Sequence, residues 1–280
     1  MGTRGHSMIE AYKNAERFKG FACLYDSARP ACPEYVVKVL TRYLGHRPQT
    51  VVDMGCGTGL STLVWKDTAD KIIGIEPNED MIARAVVNAK NLEFVCAFSD
   101  KTGLGSGIAD IVTCSQSFHW MEPQSTLREI ARLLKSGGVF AAYDCDWPPV
   151  CNASVEAAYQ ALDDCVDEVE ATVSEYKKAF IQYPKEQHLE NIRKSGYFEY
   201  TREIVFANTE NCDANRYYNI ALSQGGTQAI LKKNPALIEK ELAAFRAAVD
   251  KYFNNKMLPV EFCYRLRLGV KNSATYGGDR

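Results

Sequence analysis

Apolar and polar positions along this chain switch repeatedly between two spacings: the short unbroken or alternating run of a strand, and the three-and-four step of a helix. Val51-Val52, Ile72-Ile73-Gly74-Ile75, Leu92 to Cys96, Ala109 to Cys114 and Val139 to Tyr143 predict five strands. Helical spacing predicts a segment from about Leu60, a second one capped by Asn78 and carrying Met81, Ile82, Ala85 and Val86, and a third opening at Pro123. The third places Leu127, Ile130, Ala131 and Leu134 on one face and should end at Gly137-Gly138. Such β-α alternation implies a parallel sheet with helices on both faces, and ligands beyond the carboxyl ends of the strands.

The flanks read differently. Ile9 to Leu44 is mostly helical with a bend at Pro30 and Pro33, which makes residues 8–46 an N-terminal helical cap before a core at 47–149. Past Pro148-Pro149, apolar residues at 155, 159, 162, 166, 169, 173, 176 and 180 alternate steps of four and three. This predicts a long helix within a lid insertion at 150–185, preferred to a dimer seam, with Asp163, Asp164, Asp167, Glu168 and Glu170 on a solvated face. Residues 186–280 should then supply a helix at Gln187 to Tyr197, a strand at Tyr200 to Phe206, two helical stretches and a last strand at Phe262 to Val270. The second of those stretches, through Leu242, Phe245 and Val249, is expected to pack on the sheet.

Composition narrows the partners. A formal net charge of −2 over 280 residues gives no field for a polyanion, so neither nucleic acid nor an anionic membrane is expected. The ten cysteines lack C-x-x-C spacing and read as reduced thiols of a cytoplasmic protein. No apolar run reaches the roughly 18 residues of a membrane span. Met1 to Ser7 reads as an expression leader, and His6 stands where a myristoylation signal needs Ser or Thr.

Candidate chemistry centres on Val51-Val52-Asp53-Met54-Gly55-Cys56-Gly57-Thr58-Gly59, where a strand breaks into three alternating glycines. Glycine admits backbone angles closed to other residues and lets a ligand approach the main chain. A dinucleotide site uses G-x-G-x-x-G, and Asp53 would repel a pyrophosphate while suiting a ligand with an ammonium group. S-adenosylmethionine (SAM) has that ammonium. The segment resembles motif I of the class I SAM-dependent methyltransferases, and three further segments keep the order. Ser99-Asp100-Lys101-Thr102-Gly103-Leu104 resembles the stretch beside the adenine in one branch of that family. Gln116-Ser117-Phe118-His119-Trp120 and Tyr25-Asp26-Ser27-Ala28-Arg29-Pro30 are similar to segments of the small-molecule branch that includes trans-aconitate methyltransferases.

The resemblance implies an α/β, Rossmann-like, seven-strand, mostly parallel sheet with an N-terminal helical cap and a helical insertion after the fifth strand. It implies SAM as cofactor, S-adenosylhomocysteine as product and a small-molecule acceptor; separately, no His and Cys cluster with zinc spacing accompanies Asp144 and Asp146, so no metal is expected. It assigns the cofactor to Tyr25, Arg29, Asp53, Gly55, Cys56, Gly57, Gly59, Glu76, Pro77, Met81, Ser99, Asp100, Ser115, Gln116, Ser117 and Trp120, with Glu76 on the ribose hydroxyls and Arg29 on the methionine carboxylate. Phe98 departs from the family, whose members often carry an acid there.

An acceptor hydroxyl or amine also needs a base, and His119 is the first candidate because imidazole titrates near neutrality, with Tyr25 as a second catalytic candidate. A carboxylate acceptor needs none; Arg202, Arg216, Arg265 and Arg267 are then anchors or ordinary surface arginines. Trp120, Tyr143 and Trp147 are candidates for an acceptor wall, and Asp144 or Asp146 for orienting an acceptor. A SAM-binding regulatory module and SAM-dependent cyclopropanation are the alternative functions, and monomer and homodimer both stay open.

Overall fold

The computed structural model describes residues 24, 27–85, 89–174, 176 and 182–272. In chain order, helix α1 (Glu34–Leu44) precedes strands β1 (Thr50–Met54) and β2 (Lys71–Ile75), helix α2 (Glu79–Arg84), β3 (Leu92–Val95) and β4 (Ala109–Ser115). Helix α3 (Pro123–Leu133), β5 (Leu134–Cys145), α4 (Ala153–Thr172), α5 (His188–Lys194) and β6 (Phe198–Cys212) follow. Three helices, α6 (Ala214–Leu222), α7 (Gly225–Lys233) and α8 (Glu239–Phe253), lead to β7 (Leu258–Lys271). The strands form one seven-stranded sheet in the order β3-β2-β1-β4-β5-β7-β6. Strands β1 to β5 pair in parallel, so the expected α/β sheet is present.

The chain divides into two compact units, neither of them one continuous segment. One comprises Ala31–Asp144, Gln182–Val205 and Arg265–Arg280 and contains the parallel strands. Its core is built on Val52, Met54, Ile73, Ile75, Val112, Phe140 and Ala142 from the central strands, against Leu127, Ile130 and Leu133 of α3. Asn78 caps α2 as anticipated, its Oδ1 accepting from the backbone N–H groups of Asp80 and Met81. Glu122 caps α3 in the same way through Gln124 and Ser125, with Pro123 at the first helical position.

Three expectations need correction here. The helix expected from Leu60 is a single 3-10 turn, Thr62–Trp65. The hydroxyls of Ser61 and Thr62 bond back to Asp53 instead of leaving the turn free to propagate, and such local hydroxyl bonds compete with helix. The glycine pair does not end α3: the helix stops at Leu133, and Gly137, with φ of 72°, lies inside β5. The extra residues form an irregularity against β4, where the register passes from Ala109↔Leu134 to Ile111↔Val139. Strands β6 and β7 also outrun their expected bounds.

The other unit comprises Met1–Pro30, Cys145–Ile181 and Phe206–Tyr264. The long apolar stripe is spent here: Val155, Tyr159, Leu162, Val166 and Val169 of α4 share a core with Tyr217, Ile220, Ile230, Phe245, Val249 and Phe253. Helix α8 packs on α4 and α6, and its Phe245, Val249 and Phe253 share one core with Val260, Phe262 and Tyr264 of β7. Phe245 meets Tyr159 edge-on at 5.3 Å and stacks on Tyr218 at 5.6 Å, aromatic geometries that add to area burial. The acidic face is not uniformly solvated either, since Glu170 is buried and Asp163 half-buried.

Burial, with the charges of Asp167 and Asp164, pushes the Asp163 carboxyl up to about 7, against a partial opposing pull from Arg29. The native state therefore holds this proton more tightly than the unfolded chain does. Its contribution to stability is greatest below a pH of about 4 and is lost as pH rises through about 7. Replacing Asp163 with Asn should thus raise Tm little at pH 4, progressively more toward pH 7, and by a constant several degrees above it, as read by thermal melts across that range. No helix among the described residues is long and apolar enough to cross a membrane.

Candidate active site

The glycine turn is held between the ends of β1 and β2. The backbone N–H groups of Gly55 and Cys56 both donate to the carbonyl of Ile75, at 2.8 and 3.1 Å, and Gly59 N–H closes the turn on Cys56. Gly55 and Gly57 take positive φ, 67° and 57°. A Cβ on Gly55 would lie 2.7 Å from Ser117 Cβ, so that glycine is a packing requirement. A Cβ on Gly57 would meet nothing within 4 Å: the space in front of its backbone is open.

Glu76 lies directly across that opening. Its Oε2 accepts from Gly57 N–H and its Oε1 from Asn78 N–H, each at 3.0 Å. Burial raises the carboxyl, and the two backbone donors counter the rise. An ionised carboxylate has about four acceptor positions, so two donors leave capacity for two more, the number a vicinal diol presents. Open main chain beside a half-satisfied carboxylate fits the ribose side of SAM.

Asp53 is placed otherwise than its charge alone suggested. It is 1% exposed, and its carboxylate accepts from Ser61 Oγ at 2.9 Å, Thr62 Oγ1 at 2.7 Å and Thr113 Oγ1 at 2.8 Å. Burial raises its carboxyl and these three hydroxyls oppose the shift. The side chain ties the turn to β4. Sequence reasoning missed its partners, because a hydroxyl sixty residues away carries no local signal.

The remaining expected contacts are distributed around the same strand ends. Cys56 is buried under the turn; Met81 is buried on α2, and Pro77 accepts a weak bond from the Cys96 thiol at 3.7 Å. Ser99 Oγ lies 3.0 Å from Thr126 Oγ1, and Asp100 is exposed. Thr102, beyond them, is fixed by Glu129, whose carboxyl is drawn down to about 2: burial opposes the shift, and Arg132 and Thr102 overcome it. At the end of β4, Ser115 pairs with Tyr143 of β5; beyond it Gln116 adopts φ of 54° and Ser117 Oγ donates to Met54 O at 2.7 Å. A positive φ on a glutamine is uncommon and turns the chain sharply at the strand end. His119 and Trp120 follow in a 3-10 turn, rings 4.7 Å apart.

Arg29 belongs to the other unit, where its guanidinium donates to Ser223 and Gln224 and stacks over Trp147 at 4.7 Å. Tyr25 lies outside the described residues. Tyr143 is fully buried, its hydroxyl 3.1 Å from the Cys32 thiol.

A cluster that the spacing did not reveal stands at the end of β5. Asp144, 3% exposed, has Arg267 Nη1 at 3.1 Å, Lys185 Nζ at 3.3 Å, His119 Nδ1 at 3.4 Å and His188 Nε2 at 3.8 Å. Burial alone would lift this carboxyl, but His119 and the neighbouring cations hold it well below the usual carboxylate range. Burial drops His188 to about 4, so it is neutral at physiological pH. Arg267 is thereby corrected from a surface arginine to a buried one, its Nε also paired with Glu203 at 2.8 Å.

Comparison with known proteins agrees with this geometry. Residues 52–142 match a methyltransferase domain family. The chain is 27% identical over 124 residues to the probable S-adenosylmethionine-dependent methyltransferase CRG1 of Saccharomyces cerevisiae, covering 42% of this chain and 43% of that protein. It is 29% identical over 147 residues to the ubiquinone/menaquinone biosynthesis C-methyltransferase UbiE of Campylobacter jejuni, covering 50% and 60%. The chain thus spans about half the length of the curated relatives it matches. Among solved structures, a putative type II methyltransferase from Anaeromyxobacter dehalogenans superposes with a TM-score of 0.65 at 19% identity, over 88% of this chain and 99% of that one, a likeness of fold. Residues 52–142, which hold the glycine turn and strands β2 to β4, thus match a methyltransferase domain, within a sheet whose fold is like that of a solved methyltransferase.

Proposed function

We propose that the protein transfers a methyl group from SAM to a small-molecule acceptor. The observation that carries this is the cradle itself: main chain open at Gly57, faced by a Glu76 carboxylate with two acceptor positions to spare. Bound SAM supplies a methyl group already activated on a positively charged sulfur, so the chain's own task is alignment, desolvation and, where needed, removal of a proton. Glu76 holds the ribose, Asp53 keeps the turn in shape through Ser61 and Thr62, and Met81 and Pro77 supply an apolar border beside Ser99 and Asp100. Gln116, Ser117 and Trp120 fix the end of β4, where His119 is placed to take a proton.

A small acceptor is favoured by the near-neutral charge and by the similarity of the Gln116 to Trp120 segment to the trans-aconitate methyltransferase branch. Incubating the protein with methyl-labelled SAM and a metabolite extract should yield a labelled small molecule with S-adenosylhomocysteine in equal amount. A product whose mass gain corresponds to ring closure would instead indicate cyclopropanation. SAM binding without turnover in any extract would indicate a regulatory module.

A further inference from the structure

His119, Asp144 and His188 are brought together by the fold from three separate elements, and cofactor binding leaves them unused. We propose that Asp144 is a positioning residue that holds His119 in the tautomer with hydrogen on Nδ1, making Nε2, across the ring, the atom that takes a proton from the acceptor. The catalytic meaning rests on the transfer proposed above; the tautomer does not.

Asp144 is unable to turn away. Arg267 donates to Oδ2 at 3.1 Å while its own Nε is locked to Glu203 at 2.8 Å, and Lys185 Nζ stands 3.3 Å from Oδ1. His119 is equally confined: it sits in the 3-10 turn after β4, 5% exposed, with its carbonyl accepting from Tyr183 N–H at 2.8 Å. Nδ1 lies 3.4 Å from Oδ1, a contact that is not a formed hydrogen bond but is close enough to decide the sign of the interaction. An N–H there is attracted to the carboxylate, whereas a nitrogen lone pair would point into a buried negative charge. The ring must carry its hydrogen on that side, and catalytic contacts that are long without ligand commonly tighten when one binds.

In the step this serves, the acceptor oxygen or nitrogen bonds to the methyl carbon and the electron pair of the broken S–C bond stays on sulfur. The proton released from the acceptor goes to Nε2. The positive charge lost from the sulfonium then rests on His119, facing Asp144.

His119, Asp144 and His188 also offer ligand atoms within 4.8 Å of one another, the donor set of a divalent metal. Both ring nitrogens of His188 are buried without a hydrogen-bond partner among the described residues. The carboxylate argues for the tautomer assignment instead, because Lys185 and Arg267 already meet both of its oxygens and would repel a further dication.

Long-range proton–nitrogen correlation NMR on nitrogen-15-labelled protein reads the tautomer directly. With four histidines in the chain, a His119→Gln spectrum assigns the residue. In EDTA the neutral His119 is expected to show protonated Nδ1 and unprotonated Nε2, and Asp144→Asn should shift the population toward Nε2–H. Wild-type His119 with hydrogen on Nε2 would overturn the assignment without reference to any variant. So would one equivalent of zinc chloride moving the ring nitrogens of both His119 and His188 to metal-bound positions. The measurement uses neither cofactor nor acceptor, so a protein that ignores SAM in calorimetry would count against methyl transfer and leave the tautomer assignment standing.

Discussion

Glu76→Ala is expected to weaken SAM binding at least a hundredfold in isothermal titration calorimetry. Hydrogen bonds to a charged acceptor contribute about 1.5–3 kcal/mol each, so losing the two ribose contacts proposed for Glu76 removes at least ~3 kcal/mol, about two powers of ten. The variant also removes the shared acceptor of Gly57 N–H and Asn78 N–H, loosening the glycine turn. Glu76→Gln keeps one acceptor oxygen and should fall between, near tenfold. Asp53→Ala is expected to lose affinity by a different route, with a lowered Tm, because Ser61, Thr62 and Thr113 lose their shared acceptor. Unchanged affinity in both alanine variants would contradict the placement of SAM at this turn.

Arg267→Ala is expected to cost about 3–5 kcal/mol of stability in denaturant unfolding. The guanidinium is 4% exposed and bridges Asp144 and Glu203, so its removal strands a buried carboxylate with only Lys185 and two imidazoles for compensation. In the wild type the depressed Asp144 carboxyl stabilises the native state at neutral pH, and that contribution fades as pH falls below about 4. The Arg267→Ala protein should show a shallower fall across the same acid range, because the ionised carboxylate loses the guanidinium that donates to its Oδ2 at 3.1 Å. Asp144→Asn combined with Arg267→Ala should recover some of the lost stability, as expected when both halves of a buried pair are removed together.

The parts of this molecule legible in the sequence were those encoded locally. Five β-branched runs, the Asn78 cap and Pro123 at a helix start each act within a few residues, and each stands where the pattern put it. Glu76 could be found because it closes a strand beside a glycine turn. What escaped were partnerships across the chain: Thr113 on Asp53, Lys185, His188 and Arg267 on Asp144, and Glu203 on Arg267. No spacing rule links residues 123 positions apart, as Asp144 and Arg267 are. The helix expected at Leu60 failed for a related reason, since Ser61 and Thr62 bond to Asp53, an interaction that propensity does not weigh. The stripe on α4 was legible as a buried face, but its partners lie in α6, α7 and α8, at the far end of the sequence.

The matched family segment stops at residue 142, yet β7 and β6 come from residues 258–271 and 198–212 and complete the sheet beyond β5. A fragment cut at the family boundary would therefore expose the main-chain donors and acceptors of β5, a long and largely apolar strand, as a template for self-association. For anyone trimming this protein to a minimal SAM binder, the last strands of the chain are as indispensable as the glycines.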